Sequence, residues 1–398
     1  MKNRIKAYIV SGMFLAMMVL PRLLFIPLKD YVDTENYENR VYQEKPVLSI
    51  QGLGMYPSLY DAYFNDHLAF KNPLVAFVKL TDIRVFGEVT SDAVLMGKDG
   101  WMFYKLKGDM EDSLADYQGT NHYTDEQLEQ FADCLTKADR TLGDQGIQFI
   151  LYIVPNKEQV YSEYMPSSVK VVNGESKADL LYAYLKEHTD ADVYYPLELF
   201  RDAKDGWCQI YRKYDTHWND MGAFLAAQMI IADIDHEKFG PESYMEYPIE
   251  NRGTFSGDLA TMLNLQKYYD DDPFLKVSGY RENVTFLMDA QNERGTVTHY
   301  TSDVQDKDKK ILICRDSFGV HMAEYFAKNY PDVTLMDYRT EDCGGAVRDQ
   351  RPDVVVIEAA ERYTDYMFGL LESLGGAQEQ EDQGQQEGQG QQEGQQGQ

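Results

Sequence analysis

No C-x-x-C pair, no H-x-H and no H-E-x-x-H pattern occurs in this chain, although it carries four cysteines and seven histidines. Zinc ribbons, thioredoxin-like redox motifs and zincin sites each need one of those spacings, so the expectation is no metal and no cofactor. Cys134, Cys208, Cys314 and Cys343 are widely scattered and are read as buried apolar side chains, although an oxidising compartment would permit disulfides. Positive charge is scarce as well: 38 Lys and Arg face 66 Asp and Glu, for a net charge of −28. A surface this acidic repels phosphate backbones, which argues against nucleic acid as a partner.

A long apolar run opens the chain. Lys2, Arg4 and Lys6 precede apolar sequence from Ala7 to Leu20, which continues past Pro21 and Arg22 to Leu28. The stretch is about 22 residues, enough to span a hydrocarbon core of roughly 30 Å. Its basic leading end predicts residues 1–6 in the cytoplasm, a membrane span over 7–28, and everything after it outside the cell membrane. Arg22 lies near the far end, where its side chain can snorkel to the headgroups. No A-x-A-like site follows, so an uncleaved signal anchor is expected rather than a cleaved signal peptide. Either reading exports the chain.

The rest can build a full core, since 43% of its 398 residues are apolar. Length suggests two or three units. Residues 30–50 read as a polar tether. Tyr60, Phe64, Leu68, Val75, Val78 and Leu80 then fall at helical spacing, predicting an amphipathic helix or helix pair broken around Asn72–Pro73. Val94 to Tyr104 reads as a hairpin with Asp99–Gly100 in its turn. These pieces, 29–118, are expected to pack on a main domain at 119–374.

Within that domain a helix at about 124–143 opens on Thr124 with Gln127 three residues on, a capping box. The apolar runs IQFILYIVP, ADVYYP, KKILIC, DVTLMDY and DVVVIEAA read as buried strands. They alternate with helices over Ala178–Glu187, DMGAFLAAQMIIADI and VHMAEYFAKNY, while CQIYRKYDTHWN reads as a polar, strand-like stretch. Residues 236–306 look irregular. The pattern predicts an α/β fold, a mostly parallel sheet with helices on both faces. From Gly375 to 398 the chain is Gln, Glu and Gly-rich and is expected to be disordered.

Two short constellations carry chemistry. Asp215-Thr216-His217-Trp218-Asn219 lies just before a helix, and residues two apart share a side of extended chain. A carboxylate so placed can hold an imidazole in one tautomer, or the stretch can be a helix-capping loop. Arg315-Asp316-Ser317-Phe318-Gly319 follows the strand ILIC, where open parallel sheets bind ligands. A serine nucleophile, a histidine base and an aspartate orienter suffice for acyl transfer in any chain order. His321, four residues past Ser317, is the alternative base.

D-T-H-W-N-x-x-G-A followed about 100 residues later by D-S-F resembles the AlgX/AlgJ-type and DHHW-type families, which are exported SGNH-hydrolase-like proteins. FNDHLAFKN, GKDGWMFY, VPNKEQVY, GDLATML, MDYR and VVVIEAAERY look like further landmarks in family order. The resemblance implies an SGNH-hydrolase-like fold with Ser317 as nucleophile, His217 as general base and Asp215 as orienting acid. It also implies acetyl transfer to an exopolysaccharide outside the inner membrane, with the donor supplied through a membrane-bound O-acyltransferase. An acetylesterase, or a non-catalytic glycan-binding or membrane-docking protein, remains the alternative. Arg315 stands where the SGNH signature has glycine. Asn156 and Arg339 are candidates for the oxyanion site, and Lys157 for contact with an anionic substrate.

Overall fold

A computed structural model describes residues 2–37 and 41–376. Part of the expected tether and the tail beyond Gly376 therefore lie outside the described residues. Helix α1 (Lys2–Leu28) is followed by α2 (Tyr56–Asp66) and α3 (Lys71–Phe86). Among the described residues one helix, Tyr8–Tyr31, is long and apolar enough to cross a membrane, and its apolar window is not buried in the chain.

The break between α2 and α3 falls earlier than expected. Phe70 adopts φ +60°, turning the chain before Lys71, and Pro73 is tolerated because it sits in the first turn of α3. Most of the apolar spacing also faces outward, although Leu80 packs inward. Asp66, Asn72 and Ala76 are buried, while Tyr60, Phe64, Leu68 and Val78 are exposed.

Strands β1 (Val94–Met96) and β2 (Met102–Tyr104) pair antiparallel across a turn in which Asp99 and Gly100 both have positive φ. Trp101 then stacks on Tyr161 and Tyr164 at 4.4 and 4.8 Å, fastening the hairpin to the main core. Helices α4 (Ser113–Gln118) and α5 (Asp125–Gly143) follow. The Thr124/Gln127 capping box starts α5, whose Leu128, Phe131, Leu135 and Leu142 are buried at helical spacing.

Next come β3 (Gln148–Val154), α6 (Lys157–Val160), α7 (Lys177–His188), β4 (Asp192–Tyr194), α8 (Leu197–Gly206) and α9 (Asp220–Ile234). After them lie β5 (Ile249–Phe255), α10 (Asp258–Met262), β6 (Asp272–Val277), β7 (Phe286–Gln291) and β8 (Val297–Ser302). The chain continues through β9 (Lys310–Arg315), α11 (Ala323–Ala327), β10 (Asp332–Asp337), α12 (Cys343–Gln350), β11 (Val354–Ala360) and α13 (Met367–Gly375). Helix α13 thus runs through Gly375, one residue into the stretch expected to be disordered.

The main sheet has seven strands in the order β4-β3-β11-β9-β10-β8-β7. The first five are parallel; β8 and β7 extend the sheet antiparallel. Strands β3, β9 and β11 are buried almost throughout, as strands covered on both faces must be. The segment expected to be irregular holds β5 to β8. Residues 209–219 form a tight loop rather than a strand, closed by a bridge between Tyr211 and Trp218. Cys314 and Cys343 are buried, Cys134 and Cys208 partly so, and all four are free thiols.

Candidate active site

The carboxyl ends of the parallel strands carry the functional groups. Ser317 lies in the turn after β9, and its Oγ is 2.8 Å from His217 Nε2. On the other side of the ring, His217 Nδ1 is 2.7 Å from Asp215 Oδ1. The same carboxylate oxygen accepts the His217 backbone N–H, at 2.9 Å. The imidazole is thereby fixed with its Nδ1 proton on Asp215 and Nε2 open to the serine hydroxyl. His321 stands apart from these bonds: its ring centroid is 6.2 Å from that of His217, and among the described residues no hydrogen bond links it to Ser317. Burial and the neighbouring His217 push its imidazole down to about 4.

The DTHWN loop serves both as helix cap and as holder of His217. Asn219 Oδ1 accepts the backbone N–H groups of Met221 and Gly222, capping α9. Fully buried Trp218 donates its indole N–H to the Phe318 carbonyl at 3.1 Å, tying the loop of His217 to the turn of Ser317. The Phe318 ring packs 4.7 Å from the His217 ring.

Below Ser317, Asp316 is fully buried and accepts N–H from Phe318 and Ala360 at 2.8 and 2.7 Å, fastening the turn to β11. Arg315 stands in the glycine position of the SGNH signature, beside the half-buried Ser317. Its guanidinium runs to the carbonyls of Asp316, Gly295 and Thr296 and to Asp337. Among the described residues the Ser317 backbone N–H has no acceptor, which leaves it available to an oxyanion.

Asp258, which sequence reasoning passed over within GDLATML, is the fourth polar member. Its Oδ1 accepts the Thr216 N–H and its Oδ2 the Thr216 hydroxyl, at 2.8 and 2.7 Å. Its own N–H donates to Asp215 Oδ2, and its Oδ2 lies 3.6 Å from His217 Nδ1. Burial first, then the charge of Asp215, raises the Asp258 carboxyl. For Asp215, burial is outweighed by the hydrogen bond and charge of His217, and its carboxyl falls well below the usual range. Asp215, His217 and Asp258 offer three potential ligand atoms within 4.8 Å of one another. Asp215 Oδ1 is committed to the imidazole and Asp258 Oδ2 to Thr216, so the cluster is already a closed hydrogen-bonded relay.

Gly257 makes this junction possible. A Cβ there would overlap the Tyr214 carbonyl and come within 2.6 Å of the Asp215 Cβ. Gly257→Ala is therefore expected to pry Asp258 from Asp215 and lower kcat/KM by roughly 10²-fold, the scale of a 1 Å misplacement. Turnover of an acetyl ester together with a thermal unfolding scan checks this; unchanged turnover in the folded variant overturns it.

The remaining sequence candidates separate. Lys157 is sealed at 1% exposure, and its ammonium donates to the carbonyls of Arg212, Lys213 and Asp215 at 2.9, 3.2 and 2.7 Å. It pins the loop that carries Asp215 and has no path to a substrate, which corrects its reading as an anion contact. Burial pulls its ammonium down to about 8. Arg339 follows β10, next to the strand that leads to Ser317; it is partly exposed and held by both oxygens of Asp337. Asn156 follows β3, two strands from β9, and among the described residues its buried carboxamide has no partner.

The Asn156 N–H donates to Glu361 Oε2, which also accepts the Tyr195 hydroxyl. Burial, reinforced by the charge of Asp116, pushes Glu361 up to about 8. Between the ordinary carboxylate value of 4.5 and about 8 the folded chain keeps a proton that the unfolded chain has lost. This contribution to stability therefore falls as pH rises through that window. Urea midpoints at about pH 5 and about pH 8 should show the drop, and Glu361→Gln should flatten it.

A serine after a central parallel strand, facing a D-x-H loop at the sheet's carboxyl edge, on this strand order, is the architecture of an SGNH-hydrolase-like protein. Residues 94–286 match the family described as "SGNH hydrolase-like domain, acetyltransferase AlgX". Over that stretch, a little under half of its length, the chain is similar to the AlgX/AlgJ-like family. It is 24% identical over 308 residues to the probable alginate O-acetylase AlgJ of Pseudomonas putida, covering 71% of this chain and 72% of that one. Its match to AlgJ of Pseudomonas aeruginosa is 24% over 216 residues, covering 53% and 51%. A DHHW family protein from Eubacterium siraeum shares the fold at TM-score 0.50 and 15% identity, over 72% of this chain and 96% of that one.

Proposed function

We propose that this protein is an extracytoplasmic O-acetyltransferase that acetylates a cell-envelope or secreted polysaccharide through an acetyl ester on Ser317. The observation that carries the reading is the unbroken relay Ser317 Oγ, His217, Asp215, at 2.8 and 2.7 Å, on the open rim of the sheet.

In the first half-reaction the Ser317 hydroxyl gives its proton to His217 Nε2 while Oγ attacks the carbonyl carbon of the acetyl donor. Asp215 holds the imidazolium. The Ser317 N–H donates to the oxyanion, and Arg339, just past the adjacent strand β10, is the cation candidate. Collapse breaks the bond to the donor's leaving group, which takes the proton from His217, and leaves acetyl–Ser317. In the second half a sugar hydroxyl gives its proton to His217 and attacks the ester carbonyl. Collapse then releases the O-acetylated glycan and returns the proton to Ser317. The chain's own residues complete the cycle.

The AlgJ relatives are named as probable alginate O-acetylases, which supports a polysaccharide acceptor. Helix α1 serves as a single-pass anchor with its basic start in the cytoplasm and the sheet outside. A membrane-bound O-acyltransferase then supplies the acetyl donor at the outer surface.

The test is intact-mass analysis of the full chain in detergent with a chromogenic acetyl ester, with and without acceptor polysaccharide. An acetyl adduct that glycan discharges faster than water supports the transferase. Discharge by water alone makes the protein an acetylesterase, and a folded chain with neither adduct nor turnover overturns the catalytic reading.

A further inference from the structure

Helix α3 is apolar on two opposite faces, and the chain covers one of them. Asn72, Ala76, Leu80 and Ile83 lie on the inner face, with Asn72 and Ala76 buried. Ala76, Leu80 and Ile83 pack into a small core with Val94, Met96, Met102, Tyr214, Leu259 and Leu263. Half a turn around the helix, Leu74, Phe77, Val78 and Val85 recur at i, i+3, i+4 and i+11. They stand in solvent at 48, 69, 55 and 65% exposure. An apolar stripe of this length on a packed helix marks a contact surface.

We infer that this outer face of α3 lies in the bilayer interface, so that α3 seats the active-site loops on the lipid surface. The inference rests on the reading of α1 as a membrane anchor. Three observations select lipid as the occupant. First, α3 begins beside the exit end of α1. Phe25 meets Phe70 edge-to-face at 5.5 Å, and Asn72 donates to the Glu35 carbonyl just beyond α1.

Second, the depth fits. Phe25 lies six residues, about 9 Å, before Tyr31 at the end of the membrane-length segment. That segment of 24 residues is about 36 Å long against a core of roughly 30 Å. The Phe25–Phe70 contact therefore falls roughly 6 Å inside the hydrocarbon boundary, within the ~5–10 Å at which interfacial amphipathic helices settle.

Third, charge is complementary. In a chain of net charge −28, α3 carries Lys71, Lys79 and Arg84 against Asp82 alone. On the helical wheel Lys71 and Arg84 border the exposed stripe on either side, where cationic heads meet anionic phosphates. Lys71 is also paired with Asp66.

The inner face gives the contact its meaning. Tyr214 and Leu259, which α3's small core includes, are the chain neighbours of Asp215 and Asp258. One helix thus separates the base's loop from lipid, a thickness of about 10 Å. An acetyl group handed over at the membrane surface reaches the serine with little bulk water in between.

The experiment places an environment-sensitive fluorophore at Phe77→Cys in the full chain, with Cys134 and Cys208 changed to Ser. The protein is reconstituted in phosphatidylethanolamine/phosphatidylglycerol vesicles at about 3:1, carrying a quencher on the upper acyl chain. Labels at Phe14→Cys and at exposed Glu129→Cys serve as controls, and Val85→Cys repeats the test on the same stripe. Blue-shifted, quenched emission at 77 and 85, with solvent-like emission at 129, is the expected result. Solvent-like emission at 77 and 85 while position 14 is quenched overturns the inference and leaves the anchor standing. So does shielding that appears only when a membrane protein partner is added, since the face would then dock protein. If position 14 is itself unquenched, the anchor reading fails and the inference with it.

Discussion

Ser317→Ala is expected to abolish the acetyl adduct and to lower ester turnover by a factor on the order of 10⁶, the scale at which loss of a nucleophilic serine silences a triad. The fold should be untouched. Among the described residues the hydroxyl's hydrogen bond is to His217 alone, and the turn is held by Asp316, Trp218 and their backbone partners. The thermal midpoint should therefore stay within about 2 °C of the parent. Intact mass and calorimetry on one preparation separate the two effects; residual adduct in the variant would remove Ser317 from the chemistry.

Asp215→Asn should cost about 10⁴-fold in turnover through a different cause. The carboxylate accepts three N–H groups: the His217 ring, the His217 backbone and the Asp258 backbone. A carboxamide offers one acceptor oxygen and must turn its NH₂ toward one of those donors. If it faces the imidazole, the ring takes the tautomer with its proton on Nε2 and can no longer accept from Ser317. Stability should fall too. The Asp215 carboxyl sits below its unfolded value, so its contribution is complete above about pH 4 and is lost only as pH falls through the folded value. Asp258→Asn should cost much less, about tenfold, because Asp258 contacts the ring only at 3.6 Å. A larger loss for Asp258 than for Asp215 would reverse these roles.

What the chain disclosed before folding follows from how each part is stabilised. Strands β3, β9 and β11 are buried on both faces, so they had to be written as unbroken apolar runs and could be read as such. Asp215 and His217 were legible because their contact is local in the chain. Asp258, Trp218 and Asp316 were not, since each acts on a residue about 40 to 100 positions away. Strands β5 and β7 are mostly solvent-facing, so their polar sequences look like loop. The α2–α3 helices misled in another way: their apolar spacing is genuine, but Tyr60, Phe64, Leu68 and Val78 face solvent while Leu80 packs inward.

Two of the bonds that assemble the site, His217 to Ser317 and Trp218 to Phe318, each join residues 100 positions apart. The stretch between them is a closed loop in the thermodynamic sense, pinched at its neck. Closure entropy grows only as the logarithm of loop length, so even doubling that stretch would cost about 0.6 kcal/mol. Insertions at an exposed tip such as Glu282–Asn283 would therefore leave the neck, and the relay within it, almost unaffected. The scaffold can change what surrounds its serine without renegotiating how the serine is held.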